Sequence, residues 1–212
     1  MVKNDIRIEL NKLHPKMKYR VKKWIKKCNK KGIYVIITEG YRTKERQDEL
    51  YAQGRTKPGK VVTYAKGSDM QSQHQWGIAI DFAIVDDTNT TKKENVYDLT
   101  TMKKCAKYAK DVGLAWGGDW KCPVDTPHLY LPDWGDTTSL LKGVFINITN
   151  FKKTWKKSTT NDINLFKRKS KHSKKLIVIP KKSSVYIIES NATWTHVSYK
   201  GKTGYVKTKY LK

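Results

Sequence analysis

The chain has 212 residues, 44 Lys plus Arg against 19 Asp plus Glu, and three cysteines. That length suits one medium domain or two small ones, and 38% hydrophobic with 11% aromatic residues excludes wholesale disorder. A formal charge of +25 attracts polyanions such as nucleic acid, anionic lipid or an anionic bacterial wall, without choosing among them.

The opening run MVKNDIRIELNKLHP holds no apolar stretch of signal-peptide length, and no stretch approaches a membrane span. The expectation is synthesis in a cytosol, with any work outside it requiring release by something other than an encoded signal. Cys28, Cys105 and Cys122 form no CxxC pair and read as free thiols.

The first helix is predicted over Pro15–Asn29. Met17, Val21, Trp24, Ile25 and Cys28 form one apolar stripe, with Pro15 in the first turn and Gly32 past the end. Ile33 to Thr38 reads as a buried strand, and Glu39-Gly40 as a turn. A second helix follows from about Thr43 to Gln53, stopped by Gly54. A loop over 54–72 carries Pro58, Gly59 and Gly67. A strand is expected from Ile78 to Val85, then a polar insertion, Asp86–Asn95. A third helix runs from about Leu99 to Val112, and a short strand from Pro127 to Leu131. Helices segregated from a few strands predict an α+β domain with a small antiparallel sheet.

Beyond residue 137 the texture changes. Val144 to Ile148 reads as a possible strand, and the lysine-rich stretch after it as a linker. Short β runs follow at Leu176–Ile179, Val185–Glu189, Trp194–Tyr199 and Gly204–Val206, and predict a small all-β barrel. Residues 1–150 hold 27 basic and 17 acidic residues, and residues 151–212 hold 17 and 2. The expected division is therefore a first domain over 1–137, a linker or domain edge over 138–162, and a second domain over 163–212.

The strongest chemical signal is Ser72-Gln73-His74-Gln75-Trp76-Gly77-Ile78-Ala79-Ile80-Asp81. At strand period, Ile78, Ile80, Phe82 and Ile84 form one large apolar face. Gly77, Ala79 and Ala83 leave room beside Asp81 on the other. His74 can fold back toward Asp81, and Asp125-Thr126-Pro127-His128 places a second histidine on a strand face. Two imidazoles and a carboxylate suit zinc, with a fourth position left for water, and Asp125 is placed to act as general base. Spacing alone leaves a plainer alternative open, in which Asp81 pairs with a lysine and the histidines are structural. Cys122 is a further candidate ligand by position.

The run SxHxxGxAxD followed by DxPH resembles the zinc DD-/LD-peptidases that cut peptidoglycan stem peptides. Gly40-Tyr41-Arg42-Thr43, Arg46-Gln47, Leu50-Tyr51-Ala52-Gln53-Gly54-Arg55 and Trp116-Gly117-Gly118-Asp119-Trp120 resemble the L-alanyl-D-glutamate endopeptidase branch, over about residues 8–135. The resemblance implies zinc on His74, Asp81 and His128, and Asp125 as catalytic base. It implies Arg42 as a catalytic and substrate-binding residue, with Gln47 and Ser72 also lining the substrate site. It implies a phage endolysin or autolysin in which zinc-bound water hydrolyses the L-Ala–D-Glu bond, with Gram-positive peptidoglycan as partner. A D-Ala-D-Ala carboxypeptidase with the same site is the alternative, and a basic nucleic-acid-binding protein the alternative of another class. The chain departs from the pattern at Leu129, where relatives often carry an aromatic residue, and in the insertion Asp86–Asn95, which could border the cleft. The tail, from Asn164-Leu165-Phe166 to Trp194-Thr195-His196-Val197-Ser198-Tyr199 and Gly204-Tyr205-Val206, resembles a bacterial SH3-type wall-binding domain. No specific nucleic-acid partner and no transmembrane segment are implied, and a monomer is the expectation.

Overall fold

The computed structural model describes residues 9–85 and 97–212. The predicted insertion Asp86–Asn95 lies outside them. The chain divides into two compact units, Met1–Ile148 and Thr149–Lys212. No helix among the described residues is long and apolar enough to cross a membrane.

The first unit is built on helix α1, Pro15–Asn29, whose buried Met17, Val21, Trp24 and Cys28 repeat at helical spacing. Trp24 joins three elements. Its indole N–H donates to the Cys105 carbonyl at 2.9 Å, in helix α3 (Leu99–Lys110). Its ring meets Phe82 edge-on at 4.9 Å between centroids. Phe82 lies on strand β2, Ala79–Val85, the fully buried centre of the sheet apart from a half-buried Asp81. Such an aromatic contact adds about 0.5–1.5 kcal/mol to the area that both rings bury.

The sheet has four antiparallel strands in the order β1-β2-β4-β3. Here β1 is Tyr34–Glu39, β3 is Ala115–Trp116 and β4 is His128–Tyr130. Helix α2, Lys44–Ala52, follows β1, with the Thr43 hydroxyl accepting from the Arg46 N–H. Between α2 and β2 a 3-10 turn, Gln73–Trp76, closes on Gly77 at φ 68°, a left-handed conformation that glycine adopts without Cβ strain.

Helix α4, Ser139–Phe145, ends the first unit, and helix α5, Ile148–Lys153, crosses the boundary into the second. The strand expected at Val144–Ile148 is therefore not formed. Leu140, Leu141, Val144 and Phe145 fall at helical spacing, and only Leu141 of the four is buried. The run reads as β-prone locally because its branched residues, Val144, Ile146 and Ile148, alternate at strand period, and the helical period of the preceding residues overrides that bias.

The second unit carries strands β5 (Lys156–Ser158), β6 (Ile163–Phe166), β7 (Lys175–Ile179), β8 (Ser184–Ser190), β9 (Trp194–Tyr199) and β10 (Lys202–Lys207). They pair antiparallel in the linear order β5-β8-β9-β10-β6-β7. This corrects the expected SH3-like barrel over 163–212. A barrel closes by laddering its first strand to its last, and among the described residues no ladder joins β5 to β7. Both edges are lysine-bearing, a feature that keeps open sheets from pairing further. The sheet instead covers one core of Ile163, Leu165, Ile179, Val185, Val197, Val206 and Leu211.

His14 is expected to make the first unit sensitive to acid. Its Nδ1 accepts the Lys16 N–H at 3.2 Å and caps α1, and its ring lies edge-on to Trp134. Burial pushes its pKa down to about 3, against the pull of Asp133. The unfolded chain therefore binds a proton near pH 6.5 that the folded chain refuses until about pH 3. Stability from this group is complete above pH 6.5 and is lost as pH falls toward 3, by up to about 4 kcal/mol. In His14→Asn, which keeps a capping acceptor, urea unfolding should lose that part of the difference between pH 4.5 and pH 7.5. An unchanged difference would show that other groups govern the acid response.

Candidate metal centre and cleft

Strands β2 and β4 bring the first two donors together. Asp81 lies directly opposite His128 in the antiparallel register. The neighbouring bonds Phe82 N–H to Pro127 O and Leu131 N–H to Ile78 O make this a non-hydrogen-bonded pair, in which side chains approach most closely. The third donor, His74, comes from the 3-10 turn ahead of β2. The Ser72 hydroxyl and Gln75 amide form a capping box around that turn, so Ser72 fixes the backbone that presents His74.

The donor atoms of His74, Asp81 and His128 lie within 4.8 Å of one another. Asp81 Oδ1 is 3.3 Å from His74 Nε2 and 3.1 Å from His128 Nδ1, and the two nitrogens are 3.2 Å apart. Three donors on a tetrahedral zinc, each about 2.0–2.1 Å from the metal, stand about 3.3–3.4 Å from one another. The match is close on all three edges.

The ring hydrogens decide what these atoms are. His74 Nδ1–H donates to the Gly40 carbonyl at 2.8 Å, and His128 Nε2–H donates to Gln73 Oε1 at 2.8 Å. Gln73 is oriented in turn by its Nε2, which donates to the Gly135 carbonyl at 3.2 Å. Each neutral imidazole therefore turns a lone pair inward, toward a carboxylate oxygen. Three acceptors facing one point, two of them buried and the Asp81 carboxylate half-buried, are satisfied by a cation, and neutral imidazole with carboxylate is the donor set of zinc. Burial lowers the His74 pKa and keeps the ring neutral. Burial alone would raise Asp81, but the two flanking imidazoles outweigh it and hold the carboxyl well below the ordinary value.

The centre opens into a cleft of about 700 Å³ shared by Arg42, Ser72 and Asp125. Asp125 stands at the head of β4, where its N–H donates to the Gly117 carbonyl at 3.1 Å. Burial raises its carboxyl above the ordinary value, against the pull of His128 and Arg42. Gly117 has to be glycine. A Cβ there would lie 2.7 Å from the Asp125 carbonyl oxygen and 3.0 Å from His128 Cβ. Trp116 completes the clamp by donating its indole N–H to the Thr126 carbonyl at 2.7 Å.

Arg42 is nearly buried and held on three sides. Nη1 donates to Gln47 Oε1 at 2.8 Å, Nη2 lies 3.4 Å from Asp81 Oδ2, and Nε lies 3.7 Å from Glu39 Oε1. Gln47 is completely buried, and its Nε2 donates to the Ala65 carbonyl at 2.8 Å. Both ends of that amide are engaged with the protein, so Gln47 reaches the cleft through Arg42.

The centre excludes the remaining candidates. Cys122 is exposed and is not part of the donor cluster among the described residues. Leu129 is completely buried on the face of β4 opposite His128 and does not line the cleft, so it cannot alter substrate packing there directly. Sequence reasoning missed Gln73, Glu39 and Trp120. The Trp120 ring lies 5.0 Å from that of His128, and its N–H donates to the Tyr130 hydroxyl at 3.0 Å. Gln73 adjoins a candidate ligand and Trp120 sits in the WGGDW run, but only the fold shows what each touches.

The peptidoglycan L-alanyl-D-glutamate endopeptidase CwlK of Bacillus subtilis (strain 168) is 43% identical over 122 residues, covering 55% of this chain and 72% of the relative. The chain belongs to this endopeptidase family. The L-alanyl-D-glutamate peptidase of Listeria phage A118 is 31% identical over 156 residues, covering 74% of the chain and 50% of that longer relative. A family model described as D-alanyl-D-alanine carboxypeptidase matches residues 66–131, which span His74, Asp81, Asp125 and His128. Among solved structures, the L-Ala D-Glu endopeptidase ChiX of Serratia marcescens superposes with a TM-score of 0.43 at 21% identity, covering 60% of this chain and 93% of that one.

The hydrogen bond from His128 to Gln73 generates a test of how this endopeptidase fold tunes its metal. Removing the acceptor in Gln73→Ala frees the ring to rotate and to adopt the other tautomer. Zinc affinity, measured by competition with a chromophoric chelator, should fall about 10–100-fold while the protein stays folded. Affinity equal to wild type would mean that the Gln73 contact is idle.

Proposed function

We propose that the chain is a metal-dependent peptidoglycan endopeptidase that hydrolyses the L-Ala–D-Glu bond of stem peptides. The observation that carries this reading is the convergence of three inward lone pairs with Asp125 and Arg42 in one cleft. The family relationship supports the substrate, since the two curated relatives are named for cleavage at alanyl–glutamate. A net charge of +25 favours approach to an anionic wall.

His74 Nε2, Asp81 Oδ1 and His128 Nδ1 would hold zinc, which when bound would supply Lewis acidity and lower the pKa of a water toward neutral. Asp125 takes a proton as the water oxygen bonds to the alanyl carbonyl carbon. The Arg42 guanidinium faces the negative charge that develops on the carbonyl oxygen, a task for a fixed, always charged group. Glu39 and Gln47 hold that guanidinium still. Asp125 then returns its proton to the glutamyl nitrogen as the C–N bond breaks, leaving an alanyl carboxylate and a new amino terminus. Ser72 contributes by holding the His74 turn at the cleft wall.

Asp125→Ala should bind zinc like wild type and lose about 10²–10⁴-fold in kcat, because it removes the proton carrier and no donor to the metal. Arg42→Ala should lose about 10²–10³-fold. Full activity in Asp125→Ala would remove that carboxylate from the mechanism. The bond itself is tested by digesting purified Gram-positive peptidoglycan with and without a chelator and identifying the new termini by mass spectrometry. Glutamyl (or isoglutaminyl) amino termini that vanish with chelation are expected. Release of free D-Ala would favour the second reading, a carboxypeptidase, which the description of the matching family model recommends.

A further inference from the structure

Three features of the cleft remain without a task. The first is the run Leu50-Tyr51-Ala52-Gln53-Gly54-Arg55, which joins α2 to the following loop. Gly54 adopts φ 74°, and a Cβ there would lie 2.5 Å from the Val61 nitrogen, so this glycine lets residues 60–61 cross the end of the helix. The Arg55 guanidinium lies over the Tyr51 ring at 4.0 Å and faces Tyr64 at 5.6 Å. Gln47 holds Thr63 and Ala65, and Asp48 accepts the N–H groups of Gly67 and Ser68. The loop is thus tied to α2 on its inner side.

The second feature is its outer side. Val61, Val62 and Tyr64 line the cleft and are 42%, 53% and 73% exposed. Exposed apolar groups concentrated at one cleft wall mark a contact surface. The third is the main chain. Among the described residues, the N–H and C=O groups of Val61, Val62, Thr63 and Tyr64 enter no hydrogen bond with the protein. Four consecutive peptide groups of a cleft-lining segment are thus left without a protein partner. The same loop carries Arg55, Lys57, Lys60 and Lys66 with no acidic residue between 54 and 68.

We infer that Val61–Tyr64 is the peptide-binding edge of the cleft, where the main chain exchanges hydrogen bonds with an acidic stem peptide while Val61, Val62 and Tyr64 cover it. Main-chain pairing gives affinity that does not depend on the substrate's side chains, and the loop's cations suit a substrate rich in carboxylates. The inference rests on the proposed endopeptidase function and adds the surface that holds the substrate.

Hydrogen–deuterium exchange on the Asp125→Ala protein, with and without soluble L-Ala–γ-D-Glu–L-Lys, tests it directly. With the peptide bound, as confirmed by calorimetry, the 61–64 amides should exchange about tenfold or more slowly. A second test leaves Asp125 in place. Val62→Pro deletes one open N–H and should raise KM about tenfold, keep kcat within about threefold and leave the melting temperature unchanged. Val62→Ala keeps the N–H and should raise KM less. A peptide that wild type cleaves and the Asp125→Ala protein binds, without protection at 61–64, overturns this inference alone. So does an unchanged KM in both Val62→Pro and Tyr64→Pro. A peptide neither cleaved nor bound overturns the inference together with the endopeptidase reading.

Discussion

The pairing of Asp81 with His128 across β2 and β4 is the constraint on which the rest of the molecule depends. A buried carboxylate is costly unless its charge is met, and a one-residue slip in register would turn Asp81 and His128 away from each other. The register is held by burial. Ile78, Ile80, Phe82 and Ile84 are all essentially inaccessible, and shifting the strand would exchange that whole face for Ala79, Asp81 and Ala83. Trp24 locks Phe82 from α1 and Cys105 from α3, so packing far from the metal fixes which residue faces the metal. Stability and function share one set of contacts.

Around that pair, hydrogen bonds orient the two imidazoles and most of the Arg42 guanidinium. Gly40 and Gln73 fix which nitrogen of each imidazole carries hydrogen. Glu39, Gln47 and Asp81 surround Arg42, so a guanidinium removed from water keeps compensation on three sides. Glu39 Oε1 and Arg42 Nε are buried without a hydrogen bond and stand 3.7 Å apart. Their mutual charge is the compensation that remains, and it survives because little water screens it. The arrangement is rigid at the donors and Arg42, and open only where the cleft wall is exposed.

The sequence exposed much of this and hid the remainder for physical reasons. Helix α1 was legible because its apolar stripe is long and regular. Strand β2 was legible because period two separates large from small residues around one carboxylate. His74, Asp81 and His128 stood out because donor residues flank those elements. What was hidden depends on distant partners. Gln73 is an ordinary polar residue until Gly135 turns its amide toward His128. The family resemblance implies Gln47 as lining the substrate site, while complete burial places it behind Arg42. The run Val144–Ile148 has a strand's composition, but Leu140 and Leu141 ahead of it extend a helical pattern. Barrel closure in the tail was the least legible feature. Short strands with tight turns specify neighbours along the chain, and whether the two outer strands meet is decided by twist and stagger accumulated over the whole sheet.

Gly54 and Gly117 show how a rigid site and an open one are built from the same means. Each permits a close approach of main chain that a Cβ would forbid, and each lies in a run carrying an aromatic or cationic anchor. At Gly117 the approach is inward. The Asp125–His128 turn packs against it and Trp116 secures the far side, so a proton acceptor and a metal donor cannot drift apart. At Gly54 the approach carries the chain outward, leaving peptide groups unpaired at the cleft while Gln47 and Asp48 hold the loop from behind. Open peptide groups on a loose loop would lose on binding what they gain in hydrogen bonds, because ordering the backbone costs about 1–2 kcal/mol per residue. Tying the loop to α2 before substrate arrives removes much of that cost. The amide of Gln47 belongs to both systems, one end on Arg42 and the other on the loop, so a single buried side chain sets the distance between the charge-stabilising group and the wall beside it.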